Sequence, residues 1–284
     1  MSRRIEDALL AAVGRAESSA PPQFARALRY AVFPGGARVR PRLCVEVAQS
    51  CGDSAPQLTD AAAAALELIH CASLVHDDLP SFDNAPVRRG KPSVHRAFGE
   101  PVAVLTGDAL IVLAFELLGH AAPAAPARLP QLVVTLAQAA GSPNGIAAGQ
   151  AWESEPSVPL DTYHQAKTGS LFTAATMMGA LAAGHDPAMW RVMGEKLGAA
   201  YQVADDLLDA VSSGSEGGKQ THRDNALHRP NAVARLGSSG AISRLTRLVG
   251  EAVESVPRCA GRQPLQSLIL SIADRLVPES LRAA

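Results

Sequence analysis

The chain is poor in aromatic residues and has no excess of basic charge. Aromatic residues make up 4% of its 284 residues, whereas hydrophobic residues make up 47%. Alanine and leucine dominate, strand-favouring residues do not, and the periodic segments are long, so the sequence predicts an all-α protein with a sizeable core. The formal net charge of −1 argues against a nucleic-acid-binding protein, which would carry a basic excess.

Cysteine is scarce, and long apolar runs are lacking. The four cysteines form no CxxC pair, which predicts reduced thiols in a cytosolic protein. The N-terminal stretch MSRRIEDALLAAVGRAE mixes acids with bases and does not resemble a signal peptide. Asp108 and Glu116 interrupt the most apolar stretch, which therefore falls short of the ~18 residues that span a bilayer. We expect a soluble, cytoplasmic protein without a transmembrane segment.

Periodicity and helix-breaking residues predict one helical domain over residues 1–284. Stretches rich in proline and glycine separate the predicted helices, and no linker is long enough to divide the chain. The loop 211–230 is predicted to be the most mobile part. The predicted helices are approximately 5–15, 24–31, 41–50, 59–79, 93–99, 102–120, 130–140, 160–184, 187–208, 231–256 and 265–276.

Two aspartate clusters are the most informative feature of the sequence. Carboxylates in apolar surroundings are costly to crowd together unless cations neutralise them. Oxygen ligands favour Mg²⁺, which binds one or two carboxylates per ion together with substrate phosphates. The clusters therefore predict a metal site that binds a diphosphate. The first cluster contains Asp77, Asp78 and Asp83, and the second contains Asp205, Asp206 and Asp209.

The two clusters differ in their expected geometry. Asp205 and Asp209 are four residues apart and therefore share one helical face. A solvated acidic face is the common alternative for an isolated DxxxD, but the apolar neighbours in YQVADDLLDAV disfavour it. In the first cluster Pro80 interrupts the helix, so the chain must bulge to bring Asp83 back toward Asp77.

Several basic residues could bind the phosphates of such a ligand. Arg88 and Arg89 follow the first cluster, and guanidinium groups bind phosphate with two hydrogen bonds, although surface ion pairs with the acids are an alternative. Arg40 lies at a helix start after a glycine turn, which is an anion site or an ordinary connection. Lys167, in Lys-Thr-Gly, and Lys219 could each reach a phosphate or be solvated.

The histidines and the possible nucleophiles of the sequence are less informative about function. His70 lies seven residues before Asp77 on nearly the same helical stripe, where a core histidine and a ligand contact are equally expected. No catalytic triad, zinc site, glycine-rich nucleotide loop or catalytic base stands out.

The order of the motifs resembles that of the isoprenyl diphosphate synthases (trans-prenyltransferases) over essentially the whole chain. In detail the chain is most similar to bacterial geranylgeranyl diphosphate synthases of carotenoid-type pathways. This resemblance implies an all-α barrel of about ten core helices around a deep cavity, usually in a homodimer. The motifs are PGGARVRP, LELIHCASLVHDDLPSFDNAPVRRGKPS, LTGDAL, AGQAWE, YHQAKTGSLF and YQVADDLLD.

The resemblance also implies a reaction and a role for each site residue. Isopentenyl diphosphate would condense with an allylic diphosphate on three Mg²⁺ ions, and the released diphosphate would take the proton. The surest metal ligands would be Asp77, Asp83 and Asp205, supported by Asp78, Asp206 and Asp209. The allylic diphosphate would be held by Arg88, Lys167, Thr168 and Lys219, of which Arg88 and the lysines neutralise the leaving group. Isopentenyl diphosphate would be held by Arg40, His70 and Arg89, and Gln202 would line the site.

The chain departs from the family pattern at a few positions. Ala37 replaces a lysine that contacts isopentenyl diphosphate, a loss of ~1.5–3 kcal/mol unless Arg38 or Arg42 substitutes. Glu153 stands where aspartate is common, and His222 and Arg229 replace the usual glycine and lysine. We interpret Ala37 as a trait of the carotenoid branch.

Product length follows from the residues before the first cluster. In the family, a bulky aromatic residue four or five positions before the first aspartate stops growth at fifteen carbons. Ser73 and Ala72 are small, which favours a twenty-carbon product, geranylgeranyl diphosphate. A farnesyl diphosphate synthase is the near alternative, and a class I terpene cyclase or a non-catalytic partner subunit are alternatives from other classes.

Overall fold

The computed structural model describes residues 2–33, 36–157, 159–211 and 231–276. Over these ranges the fold is all-α, which confirms the predicted class. The predicted mobile loop lies, from residue 212 onward, outside the described residues. The helices are α1 (Ser2–Glu17), α2 (Pro22–Val32), α3 (Val39–Ser50), α4 (Pro56–Asp77), α5 (Val94–Phe98), α6 (Glu100–Ala121), α7 (Leu129–Ala140), α8 (Ile146–Ala151), α9 (Leu160–His164), α10 (Ser170–Ala183), α11 (Ala188–Val211), α12 (Ala232–Glu254) and α13 (Arg262–Leu276).

Short irregular elements connect some of these helices. A two-stranded antiparallel hairpin, β1 (Val87–Arg88) and β2 (Lys91–Pro92), follows the first aspartate cluster. Short 3₁₀ turns cover Ala122–Ala124, Pro126–Arg128 and Trp152–Ser154. A π-helical turn, Gln165–Gly169, joins α9 to α10. The sequence predicts one continuous helix over 160–184, so this turn is a correction to that prediction.

Helix α4 runs through the centre of the core. It packs on α6, α3 and α10, and every residue from Ala61 to Ile69 is buried. A helix that is apolar around its whole circumference is stable only when it is surrounded by protein, as this one is. The helix ends at Asp77, so the first aspartate cluster lies at the end of a deeply buried core helix.

Two described helices are long and apolar enough to span a bilayer by length and composition alone. In α4, 78% of the apolar window is buried in the fold. The second window begins with α6 and is 44% buried. On α6, Leu105 and Val112 are exposed, and they lie on one face because they are seven residues apart. The exposed face of α6 therefore carries uncovered apolar side chains, and the exposed acids Asp108 and Glu116 lie on the same face.

Candidate active site

The first aspartate cluster forms a tight turn at the end of α4. The amide of Asp83 donates a hydrogen bond to the carbonyl oxygen of Asp77 at 2.9 Å. The amide of Asn84 donates to the carbonyl oxygen of Leu79, also at 2.9 Å, and Asn84 adopts a positive φ of 45°. Asparagine tolerates this left-handed conformation better than most residues. The turn is the bulge that the Asp77–Asp83 spacing predicts.

Three carboxylates come together beside this turn. Ligand oxygens of Asp77, Asp83 and Glu153 all lie within 4.8 Å of one another, and the three side chains are partly buried. A set of carboxylate oxygens at this separation fits a hard divalent cation such as Mg²⁺. The sequence predicts Asp77 and Asp83 as ligands but not Glu153. The signal for Glu153 was its place in the AGQAWE motif.

Arg88, on strand β1, is fixed by the first cluster. It donates hydrogen bonds to Asp78 Oδ1 from Nε at 3.0 Å and from Nη2 at 2.5 Å, and Nη2 is 3.5 Å from Asp77. Burial raises the pKa of Asp78 by more than the Arg88 guanidinium lowers it. For Arg88, burial lowers the pKa, but the hydrogen bonds to Asp78 and the negative charges of the three aspartates of the first cluster together raise it above the usual value. Asp78 thus holds Arg88 beside the carboxylate of Asp77.

Lys167 faces the same carboxylates from the π-helical turn. Its ammonium group forms an ion pair with Glu153 and is 3.4 Å from Asp77 Oδ1. Tyr163 donates a hydrogen bond to the same oxygen of Glu153, Oε1, at 2.6 Å, and Gln150 donates one to Oε2 at 2.8 Å. Inserted π turns are frequent at functional sites because they redirect side chains without ending the helix.

A close contact between helices fixes the position of this π turn. Gly149 of α8 lies directly against the backbone of Lys167, and a Cβ atom at residue 149 would overlap that backbone. Gly198 of α11 similarly approaches Gly169, where an added Cβ would lie 2.7 Å from the Gly169 Cα. The turn that carries Lys167 and Thr168 is therefore held between α8 and α11.

The second cluster, on α11, separates its adjacent aspartates. Asp205 is exposed, Asp209 is partly exposed, and Asp206 is buried. The Thr168 hydroxyl donates to Gln202 Oε1 at 2.5 Å, and Gln202 Nε2 donates to Asp206 Oδ1 at 2.8 Å. Gln202 thus connects the second cluster to the π turn. Lys219, His222 and Arg229 lie outside the described residues.

Arg40, on α3, is buried against two aromatic rings. Its guanidinium carbon lies 4.6 Å from the centre of the Phe172 ring and 5.6 Å from that of Tyr201. Burial lowers the pKa of Arg40. Its Nε atom is buried and has no hydrogen-bond partner among the described residues. Burial, together with the positive charges of Arg40 and Arg89, also lowers the pKa of His70 well below its usual value, so the imidazole is neutral at pH 7.

Arg38 and Arg89 have different surroundings. Arg38 is buried, adopts a positive φ of 50°, and donates hydrogen bonds to Glu6 at 2.8 Å and to Glu67 at 2.7 Å. Because its guanidinium is paired with these two carboxylates inside the protein, Arg38 does not replace the phosphate-binding lysine that is missing at Ala37. Arg89 is exposed at the hairpin tip, and its guanidinium lies so close to Gly36 that an added Cβ would be 2.7 Å from Nη2.

Ala72 and Ser73 lie on α4 before the first cluster. Ala72 is buried in the main hydrophobic core. Ser73 is partly buried and donates a hydrogen bond to the carbonyl oxygen of His70 at 2.8 Å. The prediction of a twenty-carbon product depends on the small size of these two side chains. Their role in setting product length stays a prediction.

Comparison with known proteins gives consistent results. A family model described as polyprenyl synthetase matches residues 21–253. The geranylgeranyl diphosphate synthase of Cereibacter sphaeroides is 53% identical, over 99% of this chain and 98% of its own length. That of Rhodobacter capsulatus is 50% identical, over 98% and 96%. The fold is also similar to the geranyltransferase of Helicobacter pylori, solved with magnesium and isoprenyl diphosphate, with a TM-score of 0.79, 28% identity, and coverage of 95% of this chain and 96% of that one.

Proposed function

The chain belongs to the polyprenyl synthetase family of prenyltransferases, and we propose that it condenses isopentenyl diphosphate with allylic diphosphates to make geranylgeranyl diphosphate. The observation that carries the proposal is the group formed by Asp77, Asp83 and Glu153, with Lys167 and Arg88 beside it. In this group, carboxylate oxygens that can bind divalent cations lie next to positively charged side chains. That combination suits a diphosphate leaving group.

Divalent cations would be held by the carboxylates that face this space. We assign Asp77, Asp83 and Asp205 as ligands of Mg²⁺, and three ions is the number that the family resemblance implies. Bound Mg²⁺ would neutralise negative charge that develops on the departing diphosphate. Glu153 joins Asp77 and Asp83 in the ligand group, and its longer side chain reaches them from the Trp152–Ser154 turn.

Lys167 and Arg88 would stabilise the same leaving group directly. Both side chains contact Asp77, so a diphosphate bound beside Asp77 lies within their reach. Fixed cations at the point where charge develops lower the barrier because they need no reorganisation during the reaction. Lys219 is proposed to contribute a third cation, and Thr168 and Gln202 would line this side of the site.

Isopentenyl diphosphate would bind at Arg40, His70 and Arg89. The buried Arg40 Nε offers a donor that no described residue accepts from, and the neutral His70 imidazole can donate one hydrogen bond without adding charge. The double bond of this substrate attacks the allylic cation, and the intermediate then loses a proton. The released diphosphate is the proposed proton acceptor, which accounts for the lack of a recognisable protein base in the sequence.

Product length would be set on α4 behind the first cluster. Because Ala72 and Ser73 are small, the growing chain passes them and reaches twenty carbons. At ~1.5 Å per residue, Ala72 lies ~7.5 Å along the helix from Asp77. A farnesyl diphosphate synthase stays the near alternative, distinguished by a fifteen-carbon product.

We further propose that the enzyme is a cytoplasmic homodimer. On the exposed face of α6, the apolar side chains of Val104, Leu105 and Val112 lie in the open beside Asp108 and Glu116. An exposed apolar surface of this kind is characteristic of protein interfaces. A second copy of the chain would cover it.

One experiment tests the reaction and the product together. Purified protein is incubated with Mg²⁺, isopentenyl diphosphate and each allylic diphosphate in turn, and the products are sized by chromatography. The expected product has twenty carbons, and chelation of the metal should abolish its formation. Absence of condensation would contradict the enzyme assignment, whereas a fifteen-carbon end product would contradict only the assigned chain length.

A further inference from the structure

Asp206 has different surroundings from its neighbour Asp205. Its side chain is buried, with 1% of its surface exposed, whereas Asp205 is exposed. Consecutive residues of an α-helix point about 100° apart, so the two carboxylates leave α11 in different directions. Asp205 faces outward from α11, and Asp206 faces into the protein.

Both carboxylate oxygens of Asp206 accept hydrogen bonds inside the protein. Oδ1 accepts one from Gln202 Nε2 at 2.8 Å, and Oδ2 accepts one from the backbone amide of Ala232 at 2.7 Å. Ala232 is the first residue of α12, so its amide is one of those that have no partner within the helix. A carboxylate at a helix start also interacts favourably with the helix dipole.

The same contacts lead from α12 to the π turn. Gln202, which donates to Asp206, also accepts a hydrogen bond from the Thr168 hydroxyl at 2.5 Å. Thr168 directly follows Lys167, whose ammonium group contacts the carboxylate of Asp77. Asp206 therefore lies at the middle of a chain of contacts that joins the start of α12, helix α11 and the π turn.

We propose that Asp206 is a positioning residue that fixes Gln202 and Thr168 against the start of α12, rather than a ligand of Mg²⁺. The proposal rests on the proposed function for the identity of the substrate that Thr168 contacts. It assigns different roles to two adjacent aspartates. Asp205 binds metal, and Asp206 orients the side of the site that holds the allylic diphosphate.

The two aspartates provide a matched pair of variants for metal binding. Mn²⁺ binding in the presence of inorganic diphosphate is measured by electron paramagnetic resonance for Asp205→Asn and Asp206→Asn. We expect Asp205→Asn to weaken Mn²⁺ binding by about ten-fold or more, because removing an interaction at a metal site typically lowers metal affinity by at least that factor. We expect Asp206→Asn to bind Mn²⁺ like the unaltered protein. Equal weakening in the two variants would overturn the proposal.

A backbone substitution tests the other partner of the hydrogen bond. Ala232→Pro removes the amide that donates to Asp206, and proline is well tolerated at the first position of a helix. Asn231, the preceding residue, has φ −135° and ψ 158°, the extended conformation that a following proline requires. The control is Ala234→Pro, which removes a hydrogen bond to the Asn231 side chain in the same helical turn.

Steady-state kinetics separate a positioning role from a purely structural one. Asp206→Asn and Ala232→Pro should each raise KM for the allylic diphosphate by about ten-fold, as loss of an orienting partner does. KM for isopentenyl diphosphate and the Mg²⁺ requirement should not change, and Ala234→Pro should change neither KM. Unchanged KM for both substrates would overturn the proposal.

Asp206→Asn leaves one acceptor oxygen for two donors and so loses one of the two hydrogen bonds, whereas Ala232→Pro removes the bond to α12. Either change interrupts the chain of contacts, so a single folded variant is sufficient. Should the unaltered protein fail to condense prenyl diphosphates, the proposed function would be wrong. The Mn²⁺ comparison would then still decide whether Asp206 binds metal.

Discussion

Glu67 illustrates a charged residue whose importance comes from the core and not from the reaction. It lies on the buried helix α4 and pairs with Arg38, with 2% and 5% of the two side chains exposed. The pair fixes the conformation of the residues before α3, which carries Arg40. The sequence indicates Arg38 as a possible phosphate contact because the pattern of glycines and arginines does not reveal a partner 29 residues away.

Glu67→Gln should destabilise the protein strongly. The substitution removes one of the two carboxylates that Arg38 contacts, and because Glu6 remains, the expected cost is that of a hydrogen bond to a charged group, about 1.5–3 kcal/mol. Chemical denaturation monitored by circular dichroism measures the free energy of unfolding. Asp7→Asn is the control, because Asp7 belongs to an exposed pair with Arg3 at 4.0 Å and should have little effect. Equal losses in the two variants would contradict this account.

Ala72→Tyr should shorten the product from twenty to fifteen carbons. The aromatic ring would occupy space beside α4 that a longer prenyl chain needs, in the residue position where the family places a blocking group. Chromatographic sizing of the products measures the change, with Ala72→Ser as a control that keeps the side chain small. If the Tyr variant is folded and still makes a twenty-carbon product, Ala72 does not line the pocket.

At the scale of secondary structure, long periodic helices are predictable and short site-building elements are not. The sequence predicts α4 and α6 closely because their apolar runs are long. It misses α8, which has six residues, and the β1–β2 hairpin, whose charged residues show no alternation. The π turn is also missed, because one turn of altered winding leaves the apolar pattern of 160–184 unbroken. These missed elements carry or support Arg88, Arg89 and Lys167.

Gly149→Ala should displace the π turn and slow the reaction. The added methyl group would overlap the backbone of Lys167, which must then shift and disturb the contacts of its ammonium group with Asp77 and Glu153. We expect a lower kcat, since Lys167 is assigned to the leaving group, together with a lower Tm. The control is Gly250→Ala on α12, where no atom lies within 4 Å of the added Cβ. That helical position should gain up to about 1 kcal/mol of stability. Normal kcat in Gly149→Ala would contradict the assigned role of the turn.

At the scale of the whole molecule, composition predicts the all-α class correctly, and the motif order identifies the family. What composition cannot predict is which apolar surface stays uncovered, because that depends on how the helices pack. Asp108 and Glu116 mark the face of α6 that contains Leu105 and Val112 as exposed, but only the fold shows that no other described helix covers these apolar side chains.

Val112→Glu should convert the proposed dimer to a monomer. Val112 is 66% exposed in the single chain, so a charge there is harmless to the fold but costly inside an interface. Sedimentation equilibrium reports the change in mass. Val134→Glu on α7 is the control, because Val134 is also exposed but lies on a different helix. A variant that stays dimeric would exclude this face as the interface.

The central claim is that carboxylates from the two aspartate clusters hold a diphosphate through divalent cations. Anomalous diffraction from crystals grown with Mn²⁺ and inorganic diphosphate tests it most directly. We predict ions bound to Asp77 and Asp83 on one side of the diphosphate and to Asp205 on the other. Asp206 should still accept its hydrogen bond from the backbone amide of Ala232. A diphosphate bound without ions, or ions bound away from both clusters, would contradict the account.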